Sequence, residues 1–188
     1  MKTLFRATIA ALVIGAFAMP AQADEIEESL QMALEAYQAG DIDAAREEIG
    51  YVAQLLRQLR AAALGAFLPE ALPDWTRAEG DSSAAMMGFG GGLAASATYT
   101  RGNDIIEIQL MADNAMVNTM AMMFANPAMM GSMGKMKRIK RQKVVIGPQG
   151  ELQALLEKRI LIQITGRAPV EDKEAYFAAM DIRGLKDF

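Results

Sequence analysis

In the segments 93–111 and 137–165 apolar residues recur, if imperfectly, at every second position, and this alternation constrains the chain more than any other feature. Successive side chains of a strand point to opposite faces, so a period of two describes a sheet with one buried face. Leu93 to Thr100 and Asp104 to Met111 read as paired strands around the turn residues Gly102 and Asn103, with Ile106, Ile108 and Leu110 facing inward. Lys137 to Ile146 reads as a basic hairpin that ends in the β-branched run Val144-Val145-Ile146. Gly147 to Gly150 is a turn. A further hairpin runs from Glu151 to Leu156 and from Arg159 to Thr165, with Ile160, Ile162 and Ile164 on one face. Asp113 is expected to cap a helix reaching Ala125, which Pro127 ends by restricting Asn126. Pro169 opens a last helix that turns Val170, Tyr176, Phe177 and Met180 inward. Each helix has one apolar stripe and must cover a sheet face.

Earlier in the chain the period changes to that of a helix. Ile26, Leu30, Ala33, Leu34 and Tyr37 recur at helical spacing, and Ile42, Ala45, Ile49, Val52, Leu56, Leu59 and Ala63 form a second stripe. Gly40 is placed to stop the first helix and Asp41 to cap the second. Pro69, Pro73 and Trp75 mark a boundary, and Trp75 is expected to be a core or interdomain anchor. The fold class is therefore α+β, an N-terminal helical hairpin followed by a mainly antiparallel sheet with two covering helices. The expected divisions are residues 24–68 for the hairpin and 69–188 for the α+β domain. Between Glu79 and Gly92 the chain is Gly- and Ser-rich and reads as a loop; no Gly-Lys-Ser/Thr follows it to make a phosphate cradle.

The segment Ala36-Tyr37-Gln38-Ala39-Gly40-Asp41-Ile42-Asp43-Ala44-Ala45 resembles the hairpin centre of a tetratricopeptide repeat, present as a single unit. That resemblance implies protein interaction. The Pro-x-Trp start, meandering strands and C-terminal helix are similar in outline to the PsbP-like fold. As a whole the chain resembles an uncharacterised family of exported proteobacterial proteins.

Residues 1–23 read as a secretory signal. Lys2 and Arg6 form a positive start, an apolar run follows, and Ala21-Gln22-Ala23 is a small-x-small cleavage site before Asp24. Cleavage after Ala23 delivers a chain to the periplasm with no later run of membrane-spanning length. That chain carries 17 basic and 23 acidic residues, a net charge of −6, which argues against nucleic-acid binding. With no cysteine, nothing but burial holds the fold, even in an oxidising compartment. With no histidine either, thiol nucleophiles, Ser-His triads and imidazole acid-base catalysis are excluded. No carboxylate pair stands out as acid and base, so the chain reads as non-enzymatic and without a cofactor.

One stretch remains for function. Met111 to Met136 holds nine of the fifteen methionines, and basic residues run from Lys135 to Lys143 across its end. It admits three readings. Met116, Val117, Met120, Met123 and Phe124 share a helical face suited to core packing. The Gly- and Met-rich segment from Asn126 to Gly134, read as a loop, suits a docking surface for a protein or an anionic envelope partner. Its candidate binding residues are Met129, Met130, Met133, Met136, Lys137, Arg138, Lys140 and Arg141. The third reading, a periplasmic copper(I) chaperone, uses the soft thioethers of Met130, Met133 and Met136, against the repulsion of the neighbouring cations. Homo-oligomerisation stays open.

Overall fold

A computed structural model describes residues 19–80 and 92–188. The signal-peptide reading before residue 19 and the expected loop over residues 81–91 lie outside the described residues. The chain divides into two compact units, residues 1–56 and residues 57–188. The division falls inside a helix.

The first unit is the helical hairpin. Helix α1 spans Met19–Gln38 and α2 begins at Ile42 and runs to Gly65. The turn is built as the residues require. Gly40 adopts φ 83°, a conformation that costs a glycine little. The Asp41 carboxylate accepts the Ala44 N–H at 3.0 Å and caps α2. The buried stripe differs from the expected one. Ser29, Ala33, Ala45 and Val52 are buried, whereas Leu30, Leu34, Tyr37, Ile42, Ile49 and Leu56 are exposed. Leu55 is buried as well. Tyr51 donates a hydrogen bond to Glu25 across the hairpin, and that bond to a carboxylate raises the phenol above its usual range.

The second unit is a seven-stranded antiparallel sheet flanked by two pairs of helices. Strands β1 (Thr76–Glu79), β2 (Leu93–Arg101) and β3 (Asp104–Ala112) form one meander. Helices α3 (Ala115–Ala125) and α4 (Pro127–Met133) follow. Strands β4 (Lys135–Ile139), β5 (Gln142–Ile146), β6 (Leu152–Leu156) and β7 (Ile160–Thr165) form the other meander. The order is β1-β2-β3-β7-β6-β5-β4, so α3 and α4 carry the chain from the centre of the sheet to its far edge. The meanders join where β3 meets β7, in a register from Glu107 opposite Thr165 to Ala112 opposite Ile160. Helices α5 (Val170–Ala179) and α6 (Ile182–Asp187) close the chain. Each covering helix expected from the sequence is thus a pair.

The alternation decides the core. Ile106, Ile108, Leu110, Ile162 and Ile164 are fully buried and pack with Tyr176, Phe177 and Leu185 of α5 and α6. The last turns of α2 add Ala61 and Leu64 to this core. Trp75 stands edge-on to Tyr176, with ring centroids 5.5 Å apart, and Tyr99 lies 4.3 Å from Tyr176. The phenol of Tyr99 donates to the carbonyl of Pro69 at 2.5 Å, and burial pushes its pKa up to about 12. The Arg101 guanidinium lies 4.5 Å from the centroid of the Trp75 ring and is held there by Asp104 and Asp172.

The other face is smaller and differently made. Met111, Ala94, Val117 and Leu161 form a second cluster, with Met120 and Leu155 packed against it. The helix cap here is not Asp113 but Asn114, whose side chain accepts the Val117 N–H at 2.8 Å. Asp113 instead adopts φ 54° and receives two hydrogen bonds from Arg159. Both carboxyl oxygens are held by the guanidinium, so its backbone is free to turn out of the helix.

Candidate functional site

The site expected around the methionines and the basic run divides into a helix, an edge strand and a turn. The segment from Asn126 to Gly134 is not a loop, because Pro127–Met133 form α4. Asn126 accepts N–H groups from Ala128 and Met129 and so starts this helix. Proline at the first helical position gives up only a donor that would be orphaned there. Gly134 then adopts φ 155°, and a side chain at that position would collide with the carbonyl of Ile146. The glycine lets β4 enter the sheet directly after α4.

The expected site residues therefore have different surroundings. Met130 is buried, which removes it from any docking surface. Met129 and Met136 are exposed, and Met133 is half-buried. The copper(I) set of Met130, Met133 and Met136 is split among a buried helical position, a half-buried one and an exposed strand. On α3, Val117 alone of the expected packing face is fully buried, Met120, Met123 and Phe124 are half-buried, and Met116 is exposed.

The register divides the basic run by face. Met136 opposes Val145 and Arg138 opposes Lys143, so these lie on the face covered by α3 and α4. Lys137 opposes Val144 on the other face, where it binds Glu174 of α5 at 2.7 Å. Lys140 and Arg141 form the tip of the β4–β5 hairpin at φ 46° and φ 67°. Two-residue hairpins favour glycine at such positions, which has no Cβ to clash, and asparagine, whose short side chain hydrogen-bonds locally. Glu157 and Lys158 repeat the arrangement at the β6–β7 turn, with φ 47° and φ 58°. Charged side chains thus occupy four turn positions at a backbone cost.

Where α3 and α4 lie over β4 to β7, a cavity of about 330 Å³ opens. Ala121, Phe124, Ala125, Met130 and Leu155 give it an apolar lining, and Lys143, Glu157 and Lys158 its charges. Of these, only Met130 belonged to the expected site. The cavity was not legible in the sequence, because its lining is gathered from α3, α4, β5, β6 and a turn.

One buried charge lies elsewhere. Lys173 of α5 is buried and donates to the carbonyl of Gly150 at 3.0 Å, which pins the β5–β6 turn. Burial lowers its pKa, and Glu151 partly offsets that. Among the described residues, no cluster of three or more acidic side chains is placed to hold a metal ion. No helix among them is long and apolar enough to cross a membrane. No protein-family model, curated protein or solved structure matches the chain.

Proposed function

We propose that this chain is a non-enzymatic accessory protein of the periplasm that docks to an acidic protein surface through its β4–β5 hairpin. The observation that carries the reading is the tip of that hairpin, where Lys140 and Arg141 hold left-handed backbone positions that Asn-Gly would fill with less strain. Retaining two cations there favours their charge over backbone ease. Lys135, Arg138 and Lys143 extend the positive charge along the strands, and exposed Met136 adds a flexible apolar contact. The charges leave the hairpin on both faces and at its tip, so a flat anionic bilayer meets only part of them, whereas a protein partner can enclose the edge. The tetratricopeptide-like hairpin supports the same class of function through its eight exposed large apolar residues among the described ones, Leu30, Met32, Leu34, Tyr37, Ile42, Ile49, Tyr51 and Leu56. Export rests on the signal segment, and the resemblance to exported proteobacterial proteins agrees with it. The copper(I) reading gains nothing from the separation of its three methionines.

Crosslinking in the intact periplasm with a photoreactive group at Arg141, followed by mass spectrometry, tests the docking reading. A captured acidic protein that is lost in a Lys140→Glu/Arg141→Glu variant supports it. Capture unchanged by that variant, or capture of phospholipid in place of protein, sinks it. N-terminal sequencing of the exported chain is expected to begin at Asp24.

A further inference from the structure

The cavity between the α3–α4 pair and the sheet lies beside the docking hairpin and has a chemistry of its own. Its lining joins Phe124 and Leu155 to the buried thioether of Met130. Its charged members are Lys143, Lys158 and Glu157. Glu157 is already engaged, 3.5 Å from Lys186. Among the described residues, Lys143 and Lys158 have neither a salt bridge nor a side-chain hydrogen bond. Lys158 is carried there by a turn residue at φ 58°, a strained placement for a side chain that only a gain elsewhere would sustain. An open groove with an apolar floor and two cations without a partner among the described residues selects a molecule with an apolar body and one anionic end. A volume of about 330 Å³ sits at the small end of ligand sites, enough for one short chain and too little for a two-chain lipid.

We propose that this cavity binds a medium-chain carboxylate, with its chain against Phe124, Met130 and Leu155 and its head between Lys143 and Lys158. The unbranched side chain of Met130 adapts to the chain length, as thioethers do at permissive binding surfaces. Glu157 opposes the head, and Lys186 screens it.

Methionine-methyl NMR of the exported chain, titrated with decanoate below its micelle concentration, tests the assignment. The Met130 signal is expected to shift saturably, and thermal unfolding to move upward. Lys143→Gln/Lys158→Gln, both exposed and remote from the core, is expected to weaken decanoate about tenfold while leaving decanol unchanged. Glu157→Gln is expected to strengthen decanoate by a few-fold. Decanol or decyltrimethylammonium binding as tightly as decanoate would overturn the proposal, as would an unmoved Met130 signal. Anionic vesicles that displace decanoate at lower total lipid would also overturn it, in favour of a headgroup site. The Lys140→Glu/Arg141→Glu variant keeps the cavity residues, so loss of docking with decanoate binding intact separates the two proposals.

Discussion

The hairpin and the sheet treat their large apolar residues in opposite ways. In the sheet unit Ile106, Ile108, Leu110, Ile162 and Ile164 are each fully buried. In the hairpin Ser29, Ala33, Ala45, Val52 and Leu55 are buried, while Tyr37 is 65 % and Ile42 58 % exposed. The two patterns looked equally regular as sequence. A strand offers two faces, and one of them here is continuously apolar, so alternation alone selects the buried side. A helix offers a full circle of directions, so the side that packs need not be the one with the largest residues. A clear apolar stripe on a helix therefore does not fix which of its members are buried: Ala45 and Val52 are, while Ile42 and Ile49 of the same stripe are exposed.

The sharpest way to break this comparison is a pair of truncations. Ile162→Ala should cost about 2–5 kcal/mol through lost burial and the cavity left behind, whereas Leu34→Ala, half-exposed on α1, should stay within about 0.5 kcal/mol. Urea denaturation of both variants decides it, and equal losses would mean the hairpin stripe is covered. A second substitution attacks the hairpin contact directly. Ala33→Leu adds volume where the helices meet and should cost about 1–3 kcal/mol, even though it replaces a small apolar residue with a larger one. An unchanged denaturation midpoint would show that the helices do not meet at Ala33.

Smaller effects come from the two faces of the sheet. Asn114→Ala removes the side-chain acceptor at the start of α3 and should cost about 1 kcal/mol. Asp113→Ala tests the alternative cap and should leave the amide exchange of Val117 unaltered. Lys173 supplies a pH signature. Its folded pKa lies below that of the unfolded chain, so below the folded value both states hold the proton and the full cost of burying the charge is felt. As pH rises above the folded value toward 10.5, the unfolded state binds more protons and folding is favoured. Tyr99 acts with the opposite sign, because its folded pKa of about 12 exceeds the ordinary 10.0 and stability falls as pH passes between them. The difference between wild type and Lys173→Met cancels the tyrosine contribution. That difference should shift in favour of wild type between pH 7 and pH 10. A flat difference would mean that Lys173 is hydrated in the folded protein.

Local rules were enough to read much of the molecule from its residues. The turns at Gly40-Asp41 and Gly147 to Gly150, the strand pairs, the inward faces of β3 and β7, and the burial of Trp75 each depend on a few neighbouring side chains or on a period of two. The misreadings share a different cause. Asp113 and Asn114 are both good caps, and the choice fell to Asn114 because Arg159, 46 residues away, binds Asp113. The segment after Asn126 looks like a loop for its glycines and methionines, yet Asn126 as cap and Pro127 at the first helical position start a helix there. Lys173 lies on the buried side of α5 with Tyr176, and no sequence pattern announces a lysine that caps a distant carbonyl.

The sequence by itself determined the α+β class, the helical hairpin, six of the seven strands and the cations of the β4–β5 hairpin, because each follows from contacts between residues close in the chain. Strand β1, four residues long, was missed. Only the tertiary structure decided the strand order, the split of the basic run between two faces, the burial of Met130 and the cavity beside Lys143 and Lys158. Those features require β3 to leave the centre of the sheet and β7 to return to it. That pairing joins segments some fifty residues apart, such as Ile108 and Ile164. Local periodicity carries no information about which distant strand completes a given edge.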